Sequence, residues 1–363
     1  MCLNQAQNLN RYPIIDTVVV KSLEQLQTSE SDLDKHNIRK LYSDATGDRK
    51  KQAWYFDDMV DDKGKKINDR LGNEKNANLK KEDDGSWSVT GAKEVKKKNG
   101  KSEWLGKGQV RLEGWSEAED RNKKWLNMEI TVYAFYEFDL KGRNKQGKAL
   151  MSNKINYAFQ LYGRGGTHSS KRRCEGACYK IGVRKDGAVA VRKEVNHPFY
   201  LTEMGKKKGT EKDVKGRWIG LKQVLYNYKH DDKECVANEV WIDDESDDNG
   251  GKLKVLNKWR NVSNVNDIGK WGMEDLKQDY VNKNFELKCE VLDTNEAKNE
   301  NHRQRQAEDI INEPGGTDNG NIGSLRSDII KLKFKFFSIR EIEPPQPDKH
   351  AEEAMTRKKS KQG

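Results

Sequence analysis

The chain has 363 residues, 33% hydrophobic and 35% charged, so it is too long for a single small disulfide-held knot and its apolar core must be lean. Lysine and arginine number 69 against 59 aspartate and glutamate, and the resulting +10 favours a polyanionic partner without choosing among nucleic acid, anionic lipid and acidic polysaccharide. The 9 Trp, 12 Tyr and 9 Phe exclude a wholly disordered chain, and no apolar run approaches the roughly 18 residues of a membrane-spanning helix.

Residues 1–16 show neither the basic nor the apolar region of a secretory signal, so a cytoplasmic or truncated product is expected. Residues 1–50 read as an extension, with a β-branched run at 14–20 and then Leu23, Leu26, Leu33, Ile38 and Leu41 at loosely helical spacing. From Trp54 the texture changes to short alternating segments separated by Gly, Asn and Asp. Strands are predicted at 86–89 (after an Asp84-Gly85 turn), 110–113, 128–140, 155–162, 179–183, 188–191, 218–228, 238–242, 253–259 and 329–342.

Two of these alternate cleanly. Met128, Ile130, Val132, Ala134 and Phe138 share one face while Glu129, Thr131, Tyr133 and Glu137 share the other. In 331–336 every second residue is apolar and every intervening one is Lys, the pattern of a half-buried antiparallel strand with a cationic outer face. Many strands and few long helices predict an all-β antiparallel two-sheet sandwich of the jelly-roll type over 51–343. A polar insertion at 293–321 interrupts it, with a helix-compatible stretch at 296–311, and 344–363 reads as a solvated tail.

The five cysteines, Cys2, Cys174, Cys178, Cys235 and Cys289, leave at least one unpaired and show no zinc-ribbon spacing. A structural thiol or a long-range bridge is expected of Cys174 or Cys178, and no metal or other cofactor is implied. The densest chemistry lies between Tyr157 and His197. Gln160, Arg164 and His168 surround a glycine-rich turn, Cys174, Glu175 and Cys178 follow, Tyr179 and Lys180 open the next strand, and Lys193 and Glu194 close the stretch. If the strands are neighbours, Arg, His, Tyr, Lys and Glu converge on one sheet face.

The order of these segments, with Trp54 to Met59, Asp84 to Trp87, Gly216-Arg217-Trp218, Trp241-Ile242-Asp243, Gly269 to Gly272 and Phe337 to Ile342, resembles concanavalin A-like jelly-roll proteins. These are grouped with polysaccharide lyases and sugar-binding domains. The alginate lyases of this fold carry an Arg-x-Glu-x-Arg strand, a Gln-x-His strand and a Tyr-Phe-Lys-x-Gly strand. Here Arg111-Leu112-Glu113 is followed by Trp115 in place of the second Arg, Gln160-Leu161 is followed by Tyr162 in place of His, and Tyr179-Lys180-Ile181-Gly182 lacks the Phe.

The resemblance implies binding of an anionic polysaccharide and its cleavage by β-elimination. That reaction needs the substrate carboxylate neutralised, a base on the C5 proton and an acid on the departing oxygen. Arg164 or Arg111 with Gln160 would clamp the carboxylate, His168 or Tyr179 would supply base and acid, and Lys180 would tune a neighbouring Tyr. Glu175 and Glu194 are placed as substrate-binding residues, and as a carboxylate pair they fit a hydrolase instead. In the blander alternatives His168 is a turn residue and an Arg near Glu175 is half of a structural ion pair.

Other signals are weaker. The acidic run 243–250 departs from a calcium loop by opening with Glu245 and placing Leu256 where the closing Glu should stand, so an acidic turn is expected. The tryptophans read mainly as core with some candidate sugar platforms. The Lys-rich runs 96–98, 206–208 and 357–359 lack interleaved aromatics, which ranks nucleic acid below polysaccharide as a partner. A non-catalytic sugar-binding module and a structural or nucleic-acid-associated sandwich are the competing readings.

Overall fold

The computed structural model describes residues 32–46, 52–74, 77–96, 102–106, 109–116, 124–136, 142–143, 157–165, 178–196, 199–200, 204–210, 214–230, 233–247, 251–267, 320–328 and 331–345. Contacts divide the chain into one unit of 42–344 and another of 1–41 with 345–363. In the smaller unit, residues 32–41 form a turn closed by an antiparallel bridge between Leu33 and Arg39. Asp34 Oδ1 accepts the backbone N–H groups of His36 at 2.8 Å and Ile38 at 2.9 Å. This side-chain capture of main-chain donors replaces the helical spacing read for Leu33, Ile38 and Leu41. The 14–20 run, Leu23, Leu26, residues 293–319 of the insertion with its helical stretch, and the tail beyond 345 lie outside the described residues.

The larger unit is all-β, and its strands form two large antiparallel sheets, the two-sheet sandwich expected of a jelly roll. The first sheet runs in the order β17 (Arg260–Asp267), β16 (Lys233–Asp243), β15 (Trp218–His230), β8 (Met128–Tyr136), β19 (Lys331–Glu341), β4 (Trp87–Thr90) and β3 (Asn78–Lys81), with β1 (Ala53–Tyr55) also on β19. The second runs β13 (Phe199–Tyr200), β12 (Ala188–Asn196), β11 (Cys178–Arg184), β10 (Tyr157–Gly165), β18 (Ile322–Ser327), β7 (Val110–Trp115) and β2 (Leu71–Gly72), with β14 (Met204–Lys208) on β12. A small third sheet holds β5 (Ala92–Lys96), β6 (Ser102–Gly106) and β9 (Gly142–Arg143).

Turn chemistry sets two of the hairpins. Gly85, at φ 75°, and Gly187, at φ 78°, occupy left-handed positions between β3 and β4 and between β11 and β12. The preceding Asp84 and Asp186 accept the N–H of the residue two positions on, at 2.9 Å from Ser86 and 3.1 Å from Ala188.

Alternation then assigns the faces. Met128, Ile130, Val132 and Ala134 of β8, Leu332 and Phe334 of β19, and Ile181 and Val183 of β11 all join one buried core between the sheets. Three expectations change. First, β19 carries a bulge between Lys335 and Ser338 with Phe336 at φ 58°, so the inward set switches from Leu332 and Phe334 to Phe337 and Ile339. Second, 253–259 is not a strand: a single bridge joins Asp247 to Leu253, and Trp218 Nε1 donates to Gly251 O at 2.9 Å. Third, the central strand β18 was not predicted, because Ile322-Gly323-Ser324-Leu325-Arg326-Ser327 has only two large apolar residues.

Packing explains the glycine in β18. Gly323 is the register partner of Gly114 on β7, and Ile339 of the opposite sheet fills the hollow over both. A Cβ added at Gly114 would stand 2.5 Å from Ile339 Cδ1 and 2.8 Å from Trp54 Cδ2, and one at Gly323 would stand 2.6 Å from the same Ile339 atom.

Polar groups also join the sheets. Asp267 of β17 accepts from Tyr179 Oη at 2.6 Å and from Lys193 Nζ at 2.5 Å, and all three are buried on the inward faces. Beside them Gln223 Nε2 donates to Asn238 Oδ1 at 3.2 Å. On the outward face of the first sheet Glu129 accepts from Lys222 and Arg340, and Arg340 also pairs with Asp44. Tyr42 Oη donates to Glu239 at 2.8 Å, so the larger unit begins at Tyr42.

Two outcomes are expected from these contacts. Gly114→Ala should lower stability by about 1–3 kcal/mol, and adding Ile339→Val, which removes the clashing methyl, should recover part of that loss; additive effects in denaturant unfolding would show that the hollow is not shared. Asp267→Ala should cost about 3–5 kcal/mol because it leaves the Lys193 ammonium buried without its partner. A loss below about 1 kcal/mol would mean that the pair does not bridge the sheets.

Candidate functional site

The inward faces of both sheets are occupied by core, so chemistry has to sit on an outward face. The register of the second sheet brings polar residues from five strands together there. Arg111 of β7 lies opposite Arg326 of β18, which lies opposite Gln160 of β10. In the next row Glu113 lies opposite Ser324, Ser324 opposite Tyr162, Tyr162 opposite Lys180 of β11, and Lys180 opposite Arg192 of β12. Cys178 lies opposite Glu194 in the row beyond. Because side chains alternate along every strand, Arg111 with Glu113, Gln160 with Tyr162, Cys178 with Lys180, and Arg192 with Glu194 share one face.

Tyr162 is the centre of this face. The Arg111 guanidinium lies 5.0 Å from its ring centroid, Lys180 Nζ 4.3 Å and the Arg326 guanidinium 5.8 Å. Arg326 Nη1 also donates to the phenol oxygen at 2.7 Å. Burial raises the Tyr162 phenol above its ordinary range, while Arg326 and Arg111 pull in the other direction.

Each cation has a carboxylate counterpart. Lys180 pairs with Glu194, Arg326 Nε donates to Asp328 Oδ1 at 2.7 Å, and Arg111 Nη1 lies 3.7 Å from Glu113 Oε1. Glu113 also accepts from Asn73, and burial lifts its carboxyl above the usual range against the pull of Arg111. Gln160 Nε2 donates to the second oxygen of Asp328 at 2.7 Å. Cys178 is a buried thiol that donates to Glu194 at 3.7 Å, and burial pushes its pKa up to about 12, so it is a structural thiol in this setting.

Arg111, Gln160, Lys180 and Glu194 are thus brought together as the sequence pattern required. Arg164 is at the end of β10 rather than on a turn, at φ 53° beside an irregularity in the β10–β18 ladder, and it is 3% exposed. A left-handed Arg costs on the order of 1 kcal/mol or more, which the surrounding strands must offset. His168 and Glu175 lie outside the described residues.

Tyr179 does not join the group. It precedes Lys180 by one residue, so the alternation that turns Lys180 outward turns Tyr179 into the inter-sheet core, where it is 0% exposed and bonded to Asp267. In a Tyr-Phe-Lys-x-Gly strand the residue sharing a face with Lys stands two positions before it, and that position here is Cys178. The phenol beside Lys180 on the polar face is Tyr162, where the sequence read a replacement for His.

Arg326, Asp328 and Arg192 were not singled out beforehand. For Arg326 the signal was the inward Gly323 and Leu325 alternating with outward Ser324 and Arg326, visible only once β18 is accepted as a strand. Elsewhere the acidic run 243–247 turns on its own hydrogen bonds: Asp243 accepts from Tyr133 and Ser246, Asp247 from the Trp218 N–H, and Asp244 from Arg260. No group of three or more His, Cys, Asp or Glu able to hold a metal occurs among the described residues.

No family model matches the chain, and no curated protein matches it. Several solved structures align at low similarity, two of them as follows. One, a protein assigned as a glycosyl hydrolase from Parabacteroides distasonis, is 11% identical with a TM-score of 0.33, over 80% of this chain and 95% of that one. The other, alginate lyase vAL-1 from Chlorella virus, is 12% identical with a TM-score of 0.27, over 74% of this chain and 91% of that one.

Proposed function

We propose that the outward face of the second sheet binds an anionic polysaccharide and that Tyr162 transfers the proton in a β-elimination there. The observation that carries this reading is the enclosure of one phenol by Arg111, Lys180 and Arg326 on a face that also presents Gln160. A guanidinium fork matches a uronate carboxylate, and neutralising that group makes the C5 proton acidic.

In the proposed step the Tyr162 phenolate, which Arg326 and Arg111 favour against the larger opposing effect of burial, takes the C5 proton. The C5–H electron pair becomes the C4=C5 double bond, the C4–O4 bond breaks, and O4 takes the proton back from Tyr162. Tyr162 assumes the role expected of Tyr179, whose hydroxyl is committed to Asp267. Arg164 and Arg111 remain the carboxylate-binding candidates, and His168 and Glu175 remain candidates on sequence grounds.

One observation favours a second reading, a non-catalytic sandwich in which this polar face is structural. Tyr162 is 3% exposed, Lys180 2% and Glu194 1%. At such low exposure Tyr162 offers a sugar no open access.

Incubation with polyuronates, monitored in the ultraviolet band of the unsaturated product, separates the two. Wild-type protein should raise the absorbance, and Tyr162→Phe should slow that rise about 10²–10⁴-fold while shifting stability by no more than about 1–3 kcal/mol. Arg111→Lys should weaken binding by losing the planar fork. Calorimetric binding without any absorbance change would leave a sugar-binding module, and a salt-sensitive shift with DNA but none with sugar would transfer the face to nucleic acid.

A further inference from the structure

Arg326 is held on two sides. Its Nε donates to Asp328 Oδ1 at 2.7 Å, its Nη1 donates to Tyr162 at 2.7 Å, and Asp328 Oδ2 accepts from Gln160 Nε2 at 2.7 Å. Gln160 and Tyr162 are two residues apart on β10, and Arg326 is the register partner of Gln160 on β18. The four side chains therefore close a ring across two paired strands: β10 supplies both ends, and Asp328 and Arg326 supply the middle.

We propose that Asp328 is a positioning residue for Tyr162, locking the Arg326 guanidinium so that it is aimed at the phenol oxygen. The need for a lock follows from the register. Arg326 stands directly opposite Arg111, and like charges across an antiparallel pair repel. An Arg side chain also carries about 2 kcal/mol of rotamer entropy that must be overcome to hold one direction. Asp328 supplies the countercharge on the side away from Tyr162, and Gln160 fixes the Asp328 carboxylate in turn. The result is a charge-assisted hydrogen bond held at the phenol oxygen before any ligand arrives.

The charged and titratable groups facing Tyr162 are Arg111 from β7, Arg326 and Asp328 from β18 and its end, and Lys180 and Cys178 from β11. Glu194 of β12 is engaged through Lys180. Among them Arg326 is the one donating to the oxygen, so its aim governs how readily the phenol gives up its proton. This ring stands on hydrogen bonds alone, and only its kinetic consequence rests on the elimination reading.

Nitrogen-15 arginine spectra of the full chain test the lock. The Arg326 Nε–H signal, assigned by its disappearance in Arg326→Lys, should be shifted and slow to exchange in wild type, retained in Tyr162→Phe and lost in Asp328→Asn. Gln160→Ala keeps both charges and serves if Asp328→Asn fails to fold; it should speed Arg326 Nε–H exchange roughly 10-fold. An Arg326 signal indistinguishable from wild type in Asp328→Asn and Gln160→Ala overturns the proposal.

Where turnover is observed, Asp328→Asn should lower kcat about 10²-fold with KM little changed, and Asp328→Glu should restore part of it. Unchanged kcat in Asp328→Asn beside an inactive Tyr162→Phe removes the positioning role and leaves the elimination standing. A wild-type protein without turnover removes the elimination, and the arginine spectra still decide the lock.

Discussion

The strands β7, β10, β11, β12 and β18 of the second sheet have to satisfy two buried faces at once. Inward positions must fill the space against the first sheet with apolar volume, and outward positions, although polar, are also largely withdrawn from water. Burying a charge costs several kcal/mol unless a partner of opposite sign is supplied in good geometry. Hence Lys180 is answered by Glu194, Arg326 by Asp328 and Arg111 by Glu113. The polar face is therefore a network fixed by register: moving any one strand by a single residue would bury unpaired charge and expose core together. That constraint makes a grouping of side chains from β7, β10, β11, β12 and β18 definite enough to ask what it does.

The same requirement explains why the two faces differ in kind. Between the sheets one acidic cluster is tolerated, Asp267 with Tyr179 and Lys193, and it ties the margins of the sandwich through partners contributed by both layers. Such an arrangement holds geometry more than it adds net stability, because hydrophobic replacements of buried pairs are often no less stable. On the outward face the cations converge on an aromatic ring instead, leaving Arg111, Lys180 and Arg326 all within reach of one phenol. Convergence of this kind is repulsive unless an anion or a π-face relieves it, and here the Tyr162 ring and the carboxylates of Glu194, Asp328 and Glu113 do so.

Much of the fold was legible because β8 repeats its apolar residues every second position without interruption and β15 does so except at Gln223. Legibility failed where packing overrode that signal. β18 carries glycine at the position where Ile339 must enter, so the residue that packing requires is one that strand propensity disfavours. The segment 253–259 has the apolar content of a strand but is held as a loop by the N–H groups of Lys254 and Leu256, which both donate to Ser246. Of the candidate residues, Arg111, Gln160, Lys180 and Glu194 share the outward face, whereas Tyr179 faces inward. Adjacency in sequence reads as proximity in chemistry, whereas in a strand neighbours point apart. Asp328 and Arg326 left no motif, since their roles arise from a pairing between segments more than 160 residues apart.

The bulge at Phe336 gives β19 two reading frames within its 11 residues. Ahead of it Lys333 and Lys335 are presented outward; behind it Ser338 and Arg340 are, and Arg340 reaches Glu129 and Asp44. A regular ladder through all 11 residues, with no bulge at Phe336, would carry the first frame onward and swing the Arg340 guanidinium toward the hydrocarbon interior. One residue held out of the ladder thus lets a strand whose apolar positions change parity seal the core along its whole length, and it makes the chain's length at this point as consequential as its composition.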